Sequence, residues 1–75
     1  MSEKIYRFFL YVEAEKLLWY YQGQVKSVVV TDDLGLKIQI PLNHFKPFVQ
    51  HQGLVGRFEL TTSATGKYIA LKKIS

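Results

Sequence analysis

A chain of 75 residues with five Phe, five Tyr, one Trp and no Cys has room for one hydrophobic core and no disulfide or thiolate site to help hold it. Ten Lys and Arg against six Asp and Glu give a net charge of +4, which favours polyanionic partners through long-range attraction, although mild basicity also serves solubility alone. No stretch reaches the roughly 18 apolar residues that a membrane-spanning helix requires, and Arg7 interrupts the apolar run Ile5 to Val12 that would otherwise resemble a signal peptide. The expectation is therefore one domain, residues 1–75, cytoplasmic and without a membrane segment.

From Lys4 to Val12 two alternating sets, Tyr6, Phe8, Leu10, Val12 and Ile5, Arg7, Phe9, Tyr11, predict a strand. Both sets are largely apolar, which predicts a central position in its sheet. Ala14, Leu17, Leu18 and Tyr21 then fall on one helical stripe about two turns long, with Glu13 and Glu15 at its positive end and Gly23 placed to cap it. Trp19 and Tyr20 lie off that stripe. The run from Val25 to Thr31, β-branched throughout its end at Val28 to Thr31, predicts a second strand. Asp32-Asp33-Leu34-Gly35 supplies a turn, and Leu36, Ile38 and Ile40 alternate inward on a returning strand that ends at Pro41.

Pro47 disfavours helix at Lys46, so a single helical turn near Leu42 to Phe45 is expected, with Phe45, Phe48 and Val49 plugging one end of the core. Gly53-Leu54-Val55-Gly56 leads into a strand with Phe58 and Leu60 inward. Ser63-Ala64-Thr65-Gly66 turns the chain into a last strand, Lys67 to Ile74, with Ile69 and Leu71 on one side and Tyr68, Ala70 and Lys72 on the other. The order β-α-β-β-(short helical turn)-β-β predicts a β-rich α+β fold: a five-stranded, strongly bent antiparallel sheet or a partly open small barrel, because curling is how a few strands enclose a core.

The chemistry-bearing residues do not assemble into a reactive site. His44 and His51 are seven apart with no Cys, matching no usual metal-ligand spacing. Asp32 and Asp33 are adjacent in a turn, which places their carboxylates on opposite sides of the backbone. No Ser lies in a nucleophile elbow, and the five Gly form neither a phosphate loop nor a dinucleotide fingerprint. No catalytic, cofactor or metal residue is predicted, and the protein reads as non-enzymatic.

Basic and aromatic side chains remain. Lys26 and Lys37 on the first hairpin, Arg57 on the fourth strand, and Lys67, Lys72 and Lys73 at the last form a candidate electropositive sheet face for nucleic acid. Trp19, Tyr20 and Tyr68 are candidates for stacking or for a protein interface. The alternative reading is a protein-interaction module, a monomer or weak homodimer that uses exposed aromatics. Lysines on edge strands also serve simply to prevent aggregation.

Tyr6-Arg7-Phe8, Tyr20-Tyr21-Gln22-Gly23, Val28-Val29-Val30-Thr31, Ile40-Pro41, Phe45-Lys46-Pro47-Phe48-Val49 and Gly53-Leu54-Val55-Gly56-Arg57-Phe58 together resemble domain of unknown function family 2835, short bacterial proteins. The resemblance covers nearly the full chain. It implies a shared small fold and brings no established activity, cofactor or catalytic residue.

Overall fold

A computed structural model describes residues 2–23 and 26–75, with Tyr20 and Tyr21 described through their backbone alone. Its elements are β1 (Lys4–Glu13), α1 (Ala14–Tyr21), β2 (Ser27–Thr31), β3 (Lys37–Pro41), a 3-10 helix (Leu42–Phe48), β4 (Gly53–Thr62) and β5 (Tyr68–Lys73). The start of the strand expected at Val25 lies outside the described residues. Among the described residues no helix is long and apolar enough to cross a membrane.

The period-two pattern of residues 4–13 governs the longest pairing. β1 runs antiparallel to β4 over its full ten residues, from Lys4 opposite Thr62 to Glu13 opposite Gly53. Because residues directly opposite share a face, this register stacks Phe8 on Phe58, Tyr6 on Leu60 and Val12 on Leu54 on one side, and Arg7 on Glu59 and Phe9 on Arg57 on the other. β4 also pairs with β5, so the three-stranded order is β1-β4-β5. β4 is the central strand, and β1, expected at the centre from its two-sided apolarity, lies at an edge.

The remaining strands, β2 and β3, form a separate two-stranded hairpin. Its tip is set by Asp32, whose buried carboxylate accepts hydrogen bonds from the Leu34 and Leu36 backbone N–H groups at 3.0 and 2.7 Å, while Gly35 takes φ +90°. Leu36, expected inward, belongs to this turn and is half exposed. One backbone bond, from Asp33 N–H to Arg7 O at 2.9 Å, ties the tip to the open side of β1. The single bent five-stranded sheet is thus replaced by two antiparallel sheets, three strands and two, that do not close into a barrel. The physical reason is strand length: β2 and β3 have five residues each and turn away from β1 after one shared bond.

The core lies between the inner faces. Phe8, Phe45 and Phe58 are fully buried. Phe58 meets Phe45 edge-on at 5.3 Å and 85°, meets Phe48 at 5.4 Å and 73°, and stacks on Phe8 at 5.9 Å. Val30 and Ile40 from the hairpin, Leu42 from the 3-10 helix and Leu17 from α1 complete it. The plug is longer than the single turn expected: it continues through Pro47 to Phe48 as 3-10 helix, although Pro47 has no N–H to give to the ladder. Of the helical stripe, Leu17 is buried and Ala14 and Leu18 are exposed, because a two-turn helix touches the sheet through little more than one side chain.

Gly53 stands where β1 passes into α1. A β-carbon there would collide with the Val12 carbonyl oxygen and lie 2.8 Å from Ala14 N, so the close approach of the two chain segments requires glycine.

Since Phe58 touches three rings, Phe58→Ala is expected to lower stability by about 3–5 kcal/mol, whereas Leu18→Ala on the exposed side of α1 should stay within about 0.5 kcal/mol. Urea denaturation midpoints check this, and equal losses from the two variants would contradict the assignment of the core.

Candidate functional site

The outer face of β1-β4-β5 is built by the same alternation that builds the core. Residues of β1 and β4 whose partners are not in the core point outward: Ile5, Arg7, Phe9 and Tyr11 from β1, and Val55, Arg57, Glu59 and Thr61 from β4. Phe9 and Tyr11 are each 58% exposed. Two large rings on one strand, two residues apart and uncovered, are the feature that sequence reasoning missed. The signal is present in the alternation of residues 5–11, whose two largely apolar sets predict a central strand and not an open face.

Charge runs across this face as a row. Arg7 Nε donates to Glu59 Oε2 at 3.0 Å, and Lys72 Nζ lies 3.6 Å from Glu59 Oε1. Glu59 therefore bridges cations from both neighbouring strands, with its own side chain 14% exposed. Arg57 ion-pairs with Asp33. Because Asp33 is fixed by its backbone bond to Arg7 at the far edge of β1, the Arg57 side chain must cross β1 from β4 to reach it, passing the outward row that holds Phe9. Three cations and two carboxylates thus frame the two rings.

The expected basic residues do not share this face. Arg57 and Lys72 lie on it. Lys37 is opposite Thr31 on the outer face of the hairpin, and Lys26 is at the hairpin's other end, where its carbonyl accepts from Leu42 N–H at 3.0 Å. Lys67 is in the turn before β5 and is exposed. Lys73 pairs with Phe58 on the inner side, half-buried, with its stem against Gly56: a β-carbon at Gly56 would lie 2.6 Å from Lys73 Cε. The one electropositive sheet face expected from the sequence is divided among several surfaces, because strand parity sends Lys72 and Lys73 to opposite sides.

The aromatic candidates also separate. Trp19 is about half exposed and borders a cavity of about 400 Å³ between α1 and β2, with Leu10, Leu17, Val28 and Leu42 in its walls. Tyr20's side chain lies outside the described residues. Tyr68 is stacked on His44, rings parallel within 8° and 3.8 Å apart. This contact arises from a register shift between Thr61 and Thr62. Ala70 faces Thr61 and Tyr68 faces Thr62, which leaves Ile69 as an extra residue and brings Tyr68 to the inner side. His51 is exposed near the tight turn where Gln50 and Gly53 exchange backbone bonds. Among the described residues no group of three or more His, Asp or Glu side chains is arranged to hold a metal ion.

Comparison with protein families finds one match, to the family described as protein of unknown function (DUF2835), over residues 4–74. The chain belongs to the DUF2835 family. Comparisons with curated proteins and with solved structures find no match. The DUF2835 match spans every strand of both sheets, so the β1–β4 register and the aromatic outer face both fall within the family region.

The ionic row on this DUF2835 domain is a surface feature, and exposed ion pairs contribute about 0–1 kcal/mol each. Glu59→Gln, which removes two such pairs, is therefore expected to change stability by less than about 2 kcal/mol, read from thermal or urea unfolding. A loss of several kcal/mol would make the row part of what holds the sheet together.

Proposed function

We propose that this protein is a small non-enzymatic module that binds single-stranded nucleic acid on the outer face of β1-β4-β5. The observation that carries the reading is the pair of exposed rings, Phe9 and Tyr11, in one outward row of β1 with Arg7, with Phe9 opposite Arg57 on β4. Aromatic platforms framed by cations bind single strands because every base has a π-face and every nucleotide carries a phosphate.

Ring spacing selects the form of the ligand. Side chains two residues apart on a strand are separated by about 6–7 Å, roughly twice the 3.4 Å step between bases along one strand of a duplex. Two consecutive bases can rest on Phe9 and Tyr11 only when the backbone is drawn out, which a single strand allows and a duplex does not. The cations on this face already have carboxylate partners at Glu59 and Asp33, so stacking carries more of the affinity here than phosphate neutralisation, and salt dependence is shallow.

A second reading is burial of this face against another protein or a second copy of the chain. It is favoured by the exposed apolar side chains of this face, Phe9 and Tyr11 with Ile5 beyond Arg7 in the same row, since exposed apolar surface marks interfaces.

Fluorescence anisotropy with labelled single-stranded RNA and DNA and with duplex DNA separates these readings. Binding to single strands is expected, with Phe9→Ala and Tyr11→Ala each costing about 1–3 kcal/mol of affinity, and with Glu59→Gln tightening binding by releasing Arg7 and Lys72. Absence of binding to any single strand at low salt, together with a dimer in sedimentation equilibrium, would reject the nucleic-acid reading in favour of the second.

A further inference from the structure

Where the two sheets fail to close, two strand edges face each other. β3 pairs only with β2, and β5 only with β4; among the described residues no backbone hydrogen bond joins β3 to β5. Antiparallel ladders alternate, so the bonded pairs reveal which groups are left over. Asp32 N–H bonds to Leu36 O and Leu42 N–H to Lys26 O, which fixes Val30–Ile38 and Val28–Ile40 as bonded pairs. The backbone groups of Lys37 and Gln39 therefore point to the open side. Pro41 obeys the same parity: its missing N–H falls on the unpaired edge, which is where a strand tolerates proline. On the other rim Ile74 N–H bonds to Arg57 O, so Leu71 and Lys73 carry the outward-pointing groups of β5.

Between these rims lies a cleft of about 230 Å³, lined by Ile38, Ile40 and Leu60 with the His44–Tyr68 stack at its wall. We infer that this gap is a strand-addition site for an extended polypeptide in which apolar and acidic side chains alternate. An added strand places alternate side chains on opposite faces. Its inward set meets Ile38, Ile40 and Leu60, and its outward set lies beside the outward residues of β3 and β5, which include Lys37 and Lys72. Lys67 joins them from between two cleft residues, Gly66 and Tyr68. Opposite charges directly across a strand pair are favourable and like charges unfavourable, which selects an acidic segment. A second copy of this chain is disfavoured as the occupant, because lysines on exposed strand edges such as these oppose edge-to-edge pairing of like-charged copies. The cleft and its rims are separate from the Phe9–Tyr11 platform, with Lys72 the one side chain that borders both.

The test uses a synthetic peptide of about eight residues, an ordinary strand length, with Val and Glu alternating, titrated into the whole protein by calorimetry and amide-resolved NMR. Binding is expected, with slowed hydrogen exchange at Lys37, Gln39, Leu71 and Lys73 and no dependence on Phe9→Ala. A Val–Lys peptide should not bind. Methylating the amides on one edge of the Val–Glu peptide should weaken it about tenfold or more, the loss of one or two backbone bonds. Gln39→Pro removes an open-side donor while leaving the backbone bonds to β2 in place and losing only the exposed side-chain bond from Gln39 Nε2 to Ser27 Oγ, and should cause a similar loss in a protein that unfolds normally. If Gln39→Pro perturbs the fold, Lys37→Glu/Lys72→Glu replaces it and should reverse the preference toward the Val–Lys peptide. No binding of the Val–Glu peptide, binding indifferent to methylation, or shifts centred on Phe9 and Tyr11 would overturn the proposal, as would displacement of the bound peptide by a single-stranded oligonucleotide.

Discussion

The contacts that Phe58 makes with Phe8, Phe45 and Phe48 join the three-stranded sheet to the 3-10 plug, and the rest of the molecule is arranged around them. A chain without cysteine and of this length has no covalent staple, so large rings must supply what a longer chain would gain from more core residues. Phe58 is placed by the β1–β4 register, which also brings Phe8 against it. A slip of β1 by one residue would send Phe8 to the surface, away from Phe58, and bring the outer row of Arg7, Phe9 and Tyr11 into the core. Core and outer face are thus two products of one register.

This coupling explains why the molecule presents aromatic side chains to solvent. Alternation on β1 assigns Phe8 and Leu10 to the interior, and α1 contributes Leu17 to the same inner core. Nothing among the described residues covers Phe9 and Tyr11. The hairpin, attached to β1 at the Asp33–Arg7 bond, encloses the inner face from one side only and leaves β3 and β5 unpaired across the cleft. The two surfaces proposed for binding are in this sense the two places where a small β-rich chain runs out of structure to cover itself: one sheet face and one seam.

Much of the fold could be read from residue pattern. The order of elements, the Asp32–Gly35 turn, the capping Gly23, the inward Phe58 and Leu60, and the Phe45–Phe48–Val49 plug follow from local chemistry and are present as expected. What local chemistry does not carry is pairing. That β4 and not β1 is central depends on a contact between residues about fifty positions apart, and the division into two sheets depends on where the hairpin leaves β1. The candidate site suffered from the same gap. Six cations were legible as cations, but their faces follow from register and from the irregularity at Thr61/Thr62, which no residue type announces. Lys73 beside Gly56 and Tyr68 on His44 are consequences of that arrangement. Phe9 and Tyr11 were visible in the sequence as apolar residues; their exposure was decided by the absence of a covering element.

The central claim is that the uncovered face of β1-β4-β5 is a binding surface in its own right. The most direct measurement is amide and aromatic NMR shift mapping of the intact protein with a short single-stranded RNA of mixed sequence. Shifts confined to Phe9, Tyr11, Arg57 and their cross-strand neighbours, with ring-current changes on the two aromatic side chains, are the predicted result. Shifts centred instead on Lys26, Lys37 or Lys67 with Phe9 and Tyr11 unmoved would contradict it, as would no shift at all.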